Sequence, residues 1–321
     1  MNKLYKAVGA LFAAASLVSV ATAAEPYPSK SIRIVAPVSA GGTVDFIARL
    51  LAHEFSTSMG QSVIVENKPG SGGIVGGSDV LHSAPDGYTL LVGIPSFATL
   101  PHMMESVPYR FSDFTPIGLV AGTSNVLLAG PASDITSLQD LVTKAKANPG
   151  KLTFATTGNG GSPHLAGELF HEMAQIKMTH IPYKGSAPAL NNLLGGHVDV
   201  MYDNLPSALP HIKGGKVRAL AVTSSSRIPE LPDVPTFSES GYANYEVDAA
   251  WGLLAPKGTP ADVVQKLEEE IRKALAAPGV KETLAVRGLT SLGTDGVEYT
   301  KLIAAEEAKW APVIKQVGIK F

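Results

Sequence analysis

The sequence predicts an α/β fold of two lobes with a ligand cleft between them. Short apolar runs alternate with helical patterns along the chain, which is typical of α/β proteins. Several of these runs are continuously apolar, as are strands buried on both faces of a largely parallel sheet. Two glycine turns of similar pattern, near positions 41 and 160, each join a predicted strand to a predicted helix.

The chain begins with a predicted secretory signal peptide, residues 1–24. Two lysines precede an apolar segment at 7–20, and small residues follow at 21–24, which is the usual pattern of charged, apolar and cleavage regions. The apolar segment is shorter than the ~20 residues that a membrane-spanning helix needs. We therefore expect cleavage near Ala23 or Ala24 and a periplasmic protein.

The composition indicates an exported globular protein. At 321 residues and 45% hydrophobic content, the chain suits one large or two medium domains. Loss of two lysines with the signal peptide leaves 24 basic against 28 acidic residues, a net charge of about −4, which disfavours nucleic acid as a partner. The chain has no cysteine, so we expect neither disulfides nor a cysteine-ligated metal.

Seven apolar runs are predicted as strands, and they alternate with amphipathic patterns. The predicted strands are 32–35, 63–65, 88–92, 126–129, 152–155, 198–202 and 217–222.

Two helices have clear sequence signals. The first carries apolar residues at helical spacing from Val44 to Phe55 and is closed by Gly60. The second begins at Thr259 and Pro260, a predicted cap followed by a first-turn proline. Its charged residues include the pairs Glu268 with Arg272 and Glu269 with Lys273, which predict a solvated face.

The division into lobes is predicted from two proline-rich and aromatic stretches. These stretches lie at 108–123 and 228–251, and a self-contained βα pattern lies between them. The predicted first lobe is therefore made from both chain ends, residues 25–124 and 246–321, and the second lobe, 125–245, is inserted between them.

The two glycine turns predict anion-binding sites. In each turn a strand leads into a glycine pair, Gly41-Gly42 or Gly160-Gly161, followed by a hydroxyl residue and a helix. Glycine lets the backbone turn sharply or approach a ligand closely. A helix start offers unpaired N–H groups and a partial positive charge, so it can receive a carboxylate without a cationic side chain.

One such turn alone would more often be an ordinary helix cap, and Ser162 before Pro163 is a strong capping signal. Two turns in separate lobes would face each other across a cleft, because ligands of α/β folds collect at the carboxyl ends of strands. Similar turns at 183–188 and 67–73 are further candidates.

Sites for a nucleotide or a metal are disfavoured. A dinucleotide-binding loop starting at Gly70 meets Val75 where its third glycine belongs, and the chain has no phosphate-binding loop of the GxxxxGK type. Two His-Glu pairs resemble the start of a zinc-protease helix, but Thr57 and Gln175 stand where the second histidine is needed. We expect no cofactor and no metal.

An exported serine hydrolase acting on an ester or amide is the alternative function. No GxSxG motif occurs, and His164 beside Ser162 has no acidic partner visible in the sequence. A catalytic triad can nevertheless be assembled from distant positions, so this alternative stays open.

A set of short motifs resembles the solute-binding proteins of tripartite tricarboxylate transporters, also called Bug-type receptors. The matches run in family order over most of the mature chain, from residue 27 to about 260. They are YP at 27–28, GGTVD at 41–45 with AR at 48–49, NKPGSGG at 67–73, PDGYTL at 85–90, TGNG at 157–160 with HL at 164–165, PYKG at 182–185, LGGHVD at 194–199, LPDVPT at 231–236, and WGL at 251–253 before AP at 255–256.

This resemblance implies a periplasmic-binding-protein-like fold and a monomeric receptor without enzymatic activity. The lobes would close on a small carboxylate, either a di- or tricarboxylate or an aromatic one, and deliver it to the membrane permease subunits. Backbone amides and ordered waters would hold the ligand carboxylate. The matching positions in this sequence are Ser39, Ala40, Gly41, Gly42, Thr43, Thr157, Asn159, Gly160, Gly161, Ser162, Gly185 and Ser186. Asp203, at the end of a predicted strand, is a further candidate contact.

Two aspartates near these positions are interpreted separately. Asp203 either contacts the ligand or caps the helix that follows. Asp45 is expected to fix its turn, because it would repel an anion.

The sequence departs from the family at one wall of the expected cleft. Leu100 stands where many relatives have asparagine, after the segment that contains Ser96 and Phe97. Phe97 either places an aromatic surface in the cleft, which favours an aromatic carboxylate, or belongs to the core. We include Ser96 and Phe97 among the predicted ligand contacts.

Overall fold

The computed structural model describes residues 26–320. The strands in this part of the chain are β1 (Ile32–Ala36), β2 (Val63–Asn67), β3 (Thr89–Gly93), β4 (Phe114–Ala129), β5 (Thr153–Thr156), β6 (Thr179–Pro182), β7 (Val200–Asn204), β8 (Arg218–Val222), β9 (Asp248–Pro256) and β10 (Thr290–Ser291). The α-helices are α1 (Thr43–Met59), α2 (Ile74–Leu81), α3 (Ser96–Met103), α4 (Leu138–Ala147), α5 (Ser162–Ala174), α6 (Ser186–Leu194), α7 (Leu205–Lys213), α8 (Ala261–Ala276), α9 (Pro278–Val286) and α10 (Gly296–Val317).

The strands form one curled sheet in the order β2-β1-β3-β9-β4-β7-β5-β6, and β8 and β10 also pair with β4. β1 is parallel to β2 and β3, and β5 is parallel to β6 and β7. All pairings of β4 and β9 are antiparallel. The expectation of a largely parallel sheet therefore holds for the outer strands of each lobe and is wrong at the centre.

β4 is shared by both lobes. Its residues 114–124 pair with β9, whereas residues 125–129 pair with β7 and β8. One hydrophobic core lies on the β1–β3 and β9 side, and two further clusters lie on the β5–β8 side. We call these two halves the first and the second lobe. Their sequence bounds, 25–124 with 246–321 and 125–245, stay a prediction.

Helix α10 packs against both lobes. Tyr299 and Ile303, near its start, belong to the core of the first lobe. Trp310 and Ile314, two to three turns further on, are buried in a cluster with residues of the second lobe such as Phe170. The helix is therefore a further connection between the lobes. The other connections are β4 and the chain segments that lead into and out of the second lobe.

All seven predicted strands are confirmed, but the sequence pattern missed three elements. β6, β9 and β10 were not predicted, and β4 begins at Phe114, within a stretch that the proline content assigned to a lobe boundary. Pro116 fits within β4 because the pairing with β9 is irregular there.

The first predicted helix is confirmed, and Gly60 closes α1 in the left-handed conformation. The predicted caps of two other helices are wrong. Gly161, not Ser162, is the N-cap of α5, and Pro260, not Thr259, is the N-cap of α8. The Thr259 hydroxyl instead donates to the carbonyl of Pro256.

The predicted signal peptide and its cleavage position lie outside the described residues. Within residues 26–320, no helix combines the length and the apolar character needed to cross a bilayer.

Candidate functional site

A cavity of about 200 Å³ lies between the lobes. The first lobe contributes the segment after β1, the glycine turn before α2, the start of α3 and Trp251 of β9. The second lobe contributes the turn before α5, the segment after β6 and the end of β7. The lining residues are Pro37, Val38, Val44, Gly70, Ser71, Gly72, Gly73, Ile94, Pro95, Ser96, Thr157, Gly158, Asn159, Gly161, Ser162, Pro163, Pro182, Tyr183, Lys184, Asn204 and Trp251.

The charge of this lining favours an anion. None of the described lining residues is aspartate or glutamate, and Lys184 is the one lysine or arginine among them. Helix α5 also begins at the cavity, with Ser162 and Pro163 in its first turn. Pro163 has no N–H and the His164 amide donates to the Gly161 carbonyl at 3.0 Å, so the Ser162 amide is the first-turn N–H that is left for a ligand. Together with the partial positive charge of the helix start, it makes this end of the cavity suit a carboxylate.

The turn before α5 needs glycine at two positions. Gly158 and Gly160 have φ values of 146° and 73°, which side chains disfavour. Gly161 is extended, and a Cβ there would meet nothing closer than Pro163 Cδ at 3.7 Å. Gly158 and Gly160 therefore allow the backbone shape of the turn, and Gly161 leaves the space beside the turn open.

A buried network of amide and hydroxyl groups supports the α5 end of the cavity. The Ser162 hydroxyl donates to Asn125 Oδ1 at 3.1 Å, and Asn204 Nδ2 donates to the same oxygen at 2.8 Å. Asn125 lies where β4 passes between the lobes, and its own Nδ2 donates to the carbonyl of Val247 at 2.8 Å. The network therefore links the cavity to the crossing strands.

This network gives Ser162 no base. Its hydroxyl contacts the side-chain amides of Asn125 and Asn204, and an amide cannot take up the proton of an attacking serine. The ring of His164 accepts a hydrogen bond from the Gly160 amide instead, at 3.2 Å. The arrangement does not favour the hydrolase alternative.

The first glycine turn contacts the opposite lobe. The Ser39 amide donates to the carbonyl of Lys184 at 2.7 Å, and the Thr43 amide donates to the Ser207 hydroxyl at 2.9 Å. A Cβ on Gly42 would lie 3.3 Å from the side chain of Ser186. A side chain at position 42 would therefore crowd Ser186, so glycine favours close approach of the lobes here.

Asp45 fixes this first turn, as the sequence predicts. Its carboxylate accepts hydrogen bonds from the Gly41 amide at 3.0 Å, from Arg49 Nε at 3.0 Å and from Asn67 Nδ2 at 2.9 Å. Burial alone would raise the pKa of Asp45, but these hydrogen bonds together lower it. Asp45 is thus held as an anion away from the cavity lining.

The structure divides the sequence-predicted ligand contacts into two groups. Five of them line the cavity: Ser96, Thr157, Asn159, Gly161 and Ser162. The others lie outside the lining, mostly where the lobes touch: Ser39, Ala40, Gly41, Gly42, Thr43, Phe97, Gly160, Gly185, Ser186 and Asp203.

Phe97 and Asp203 are core residues. The Phe97 ring is 3% exposed and packs against Tyr109 and Phe114, so it supplies no aromatic wall. Asp203 accepts hydrogen bonds from the Ser186 hydroxyl at 2.7 Å and from the Asn204 amide at 2.8 Å. Burial raises the pKa of Asp203 to about 7, although both bonds oppose the shift.

Sequence reasoning missed several lining residues. Trp251, Tyr183 and Lys184 lie in the matching motifs but are not among the predicted contacts, and neither is Asn204. The glycine turn at 70–73 was considered as a candidate only. A usable signal was present for Tyr183, Lys184 and the turn at 70–73, because they lie in matching motifs that follow the carboxyl ends of β6 and β2. Asn204 ends β7 but lies outside the motifs, and Trp251 lies in a motif but inside β9.

Comparisons with known proteins agree with this geometry. Residues 47–319 match the family described as the tripartite tricarboxylate transporter family receptor. BugT of Bordetella pertussis (strain Tohama I) is 36% identical over 323 residues, which cover 100% of this chain and 99% of BugT.

Two solved structures share the fold and contain carboxylates. R. palustris Rpa4515 with adipate is 33% identical with a TM-score of 0.88 and covers 92% of this chain and 100% of that chain. MatC (Rpa3494) from Rhodopseudomonas palustris with bound malate is 31% identical with a TM-score of 0.86 and covers 90% of this chain and 100% of that chain.

The two lobes and the cavity between them define a periplasmic solute-binding protein, a class that binds its ligand without converting it. The chain belongs to the tripartite tricarboxylate transporter receptor family, whose members include the Bug proteins. Receptors of this family are periplasmic and are not enzymes.

Proposed function

We propose that this receptor captures a small carboxylate by closing its lobes around the cavity. The observation that carries the proposal is the set of groups that line the cavity. Among the described residues, this lining includes the start of α5, Ser162 and Lys184, and it includes no acidic side chain. A carboxylate is the small anion that such a set of donors suits, because hydrogen bonds to a charged acceptor are the stronger ones.

The two groups of predicted residues would have different roles. Ser96, Thr157, Asn159, Gly161 and Ser162 would contact the ligand. The residues at 39–43, with Gly160, Gly185 and Ser186, would hold the lobes together after the ligand has entered. Asp203 would position Ser186, whose hydroxyl donates to it. Phe97 would act through the core of the first lobe.

The ligand would be a small dicarboxylate or tricarboxylate, or a carboxylate with an apolar body. Adipate and malate in the two related structures support this class. Apolar side chains such as Val38, Val44 and Ile94 line the cavity beside Trp251, and they would contact the carbon chain or ring between the polar ends.

Delivery of the ligand to the permease subunits of a tripartite transporter follows from family membership and is part of the proposal. Export by a cleaved signal peptide and a monomeric state belong to it as well.

The test is a ligand screen on the mature protein, unfolded and refolded to remove carried-over ligand. We expect adipate, malate or an aromatic carboxylate such as benzoate to raise the melting temperature, since a ligand at 100 times its dissociation constant stabilises by about 2.7 kcal/mol. The matched control is adipamide, which keeps the length of adipate but lacks both charges. Equal stabilisation by adipamide, or no response to any carboxylate in folded protein, would refute the proposal.

Tryptophan fluorescence provides a second readout of the same site. The chain has two tryptophans, of which Trp251 lines the cavity and Trp310 is buried in α10. A ligand in the cavity should change the emission of wild type and of Trp310→Phe, but not of Trp251→Phe. An emission change that is kept in Trp251→Phe but lost in Trp310→Phe would mean that the ligand binds outside this cavity.

A further inference from the structure

His164 lies directly beneath the turn that forms the α5 end of the cavity. Its side chain is 2% exposed, and its Nδ1 is 3.2 Å from the amide nitrogen of Gly160. The carbonyl of Gly160 in turn accepts a hydrogen bond from the Thr99 hydroxyl of the first lobe at 2.6 Å. Gly160 is therefore held from two sides, by His164 within its own lobe and by Thr99 across the cleft.

We propose that neutral His164 is the positioning residue of the carboxylate site: it accepts the Gly160 N–H through Nδ1 and thereby holds the turn 157–161 in the shape that binds ligand. The proposal rests on the proposed function, because it assigns this turn to ligand binding. His164 itself does not line the cavity, so it acts through the backbone of the turn.

The donor in this hydrogen bond fixes the tautomer of His164. A backbone N–H can only donate, so Nδ1 must carry a lone pair and the ring proton must be on Nε2. Nε2 faces Glu168 Oε1 at 3.6 Å, one helical turn further along α5. A second proton on the ring would occupy Nδ1, and the imidazolium would then have no acceptor for the Gly160 amide.

The ring is held in place by stacking. His180 of β6 stacks on His164 with ring centroids 4.1 Å apart and an interplanar angle of 11°. Phe154 of β5 also stacks on His180, with ring centroids 4.8 Å apart. The second ring nitrogen of His180, Nε2, lies 2.7 Å from the Thr156 hydroxyl at the end of β5. The stack therefore fixes where Nδ1 of His164 points.

The titratable groups around His164 keep their charge states near neutral pH. Burial lowers the pKa of His171 to about 4 and that of His180 to about 2, so both are neutral. Burial keeps Tyr202 of β7 protonated, because it raises the pKa of that phenol. Burial alone would raise the pKa of Glu168, but its contacts with His164 and His171 lower it overall, so Glu168 is an anion.

If His164 took up a second proton, the new positive charge would lie beside the carboxylate of Glu168, 3.6 Å from Nε2. This protonation would destabilise the turn, because the Gly160 amide would lose its acceptor and its peptide group would have to rotate away. Thr99 would then lose its partner in the second lobe. Ligand affinity should therefore be lower when His164 carries a second proton.

The first experiment needs no ligand. Long-range ¹H–¹⁵N spectra of the wild-type protein assign which ring nitrogen of His164 carries the proton, and the Gly160 amide shift is followed from pH 8 to pH 5. We expect unprotonated Nδ1 at pH 8 and a Gly160 shift that titrates together with His164. The proposal would be overturned by a protonated Nδ1 at pH 8, or by a Gly160 amide shift that stays constant while the His164 ring shifts change.

The second experiment compares two isosteres of the two ring nitrogens by calorimetric titration with adipate, or with benzoate if the screen selects it. In His164→Asn the side-chain oxygen can occupy the place of Nδ1, whereas in His164→Gln it reaches the place of Nε2. We expect His164→Asn to bind within about twofold of wild type and to lose the pH dependence. His164→Gln should bind about fivefold more weakly, the usual cost of one hydrogen bond.

The exposed His53→Asn on α1 is the matched control and should keep both the affinity and the pH profile of wild type. Equal losses in His164→Asn and His164→Gln would show a role in packing alone and overturn the proposal, as would an unchanged pH profile in His164→Asn. Failure of wild type to bind any carboxylate would instead refute the proposed function, and the ligand-free spectra would still decide whether His164 holds the turn.

Discussion

At the scale of single residues, Gly72 is where one added methyl group should separate the lobes. Its φ is 65°, and a Cβ on it would lie 2.7 Å from the carbonyl oxygen of Asn159 in the opposite lobe. That distance is shorter than van der Waals contact allows, and the obstacle is backbone. We expect Gly72→Ala to weaken carboxylate binding at least tenfold in calorimetric titration, because the lobes cannot close fully.

The control for Gly72→Ala is Gly60→Ala at the end of α1. Gly60 has nearly the same φ, 67°, but a Cβ there would meet nothing within 4 Å. Both variants should lose about 1–2 kcal/mol of unfolding free energy from the left-handed backbone, and only Gly72→Ala should lose affinity. If the two variants bind equally well, the approach of Gly72 to Asn159 is not part of the liganded state.

Sequence reasoning about single residues succeeded where the partners are close in the chain. Asp45 was expected to fix its own turn, and its bonds to Gly41 and Arg49 span four residues each. Ser162 was expected to cap α5, but its hydroxyl turns to Asn125, 37 residues away. Local patterns cannot show such a partner, because it is brought near by the pairing of β7 with both β4 and β5.

At the scale of elements, α1 and α8 are joined by a buried ion cluster at Glu270. This carboxylate has no exposed surface and lies 2.9 Å from Lys266 Nζ and 2.8 Å from Lys273 Nζ, and it also accepts a hydrogen bond from Ser58 of α1. Burial alone would raise the pKa of Glu270, but bonds from Lys273, Ser58 and Lys266 lower it to about 2.

We therefore expect Glu270→Gln to lower the free energy of unfolding by about 2 kcal/mol at pH 7. Because the folded pKa lies below the unfolded value, the stabilisation is present above about pH 4.5 and is lost as the pH falls toward 2. Urea denaturation of both proteins across this range measures it. Exposed Glu282→Gln on α9 should change little, and a constant difference down to pH 2 would contradict the assigned cause.

The charge run on α8 shows how far an element can be predicted. Glu268 and Arg272 do form the expected pair, at 4.0 Å. Lys273, however, binds Glu270 rather than Glu269, and Glu270 is buried against α1. A helical repeat indicates which residues share a face, but only the packed neighbour decides whether a charged position is solvated.

At the scale of the whole molecule, the paired glycine turns were a sound guide to two lobes and a weaker guide to the ligand contacts. The turn at 157–162 borders the cavity, whereas the turn at 39–43 meets the backbone and side chains of Lys184, Ser186 and Ser207. The same motif serves both purposes. Which one applies depends on how the lobes are placed, and this placement is set by β9 and the first half of β4, neither of which the apolar pattern predicts as a strand.

Closure of the lobes should depend on the hydrogen bond from Thr99 to the carbonyl of Gly160, which joins α3 to the turn before α5 at 2.6 Å. In Thr99→Val the side chain keeps its shape but cannot donate. The Gly160 carbonyl is then left without this partner in the closed state, whereas water can reach it in an open one. A buried acceptor without a donor costs about 1–3 kcal/mol, so we expect affinity for adipate to fall about tenfold.

Thr99→Val should impair closure of the lobes but leave the stability of the ligand-free protein unchanged, because water can reach the Gly160 carbonyl in an open receptor. At an adipate concentration that saturates the wild type, small-angle scattering should therefore find a larger radius of gyration for the variant than for the wild type. Without ligand, the two proteins should have the same melting temperature. Thr143→Val on α4 is the matched control, since its hydroxyl bonds only within its own helix, to the Gln139 carbonyl at 2.9 Å. Equal affinities for the two variants would mean that the lobes close without the Thr99 contact, and the turn at 157–161 would then owe its position to its own lobe alone.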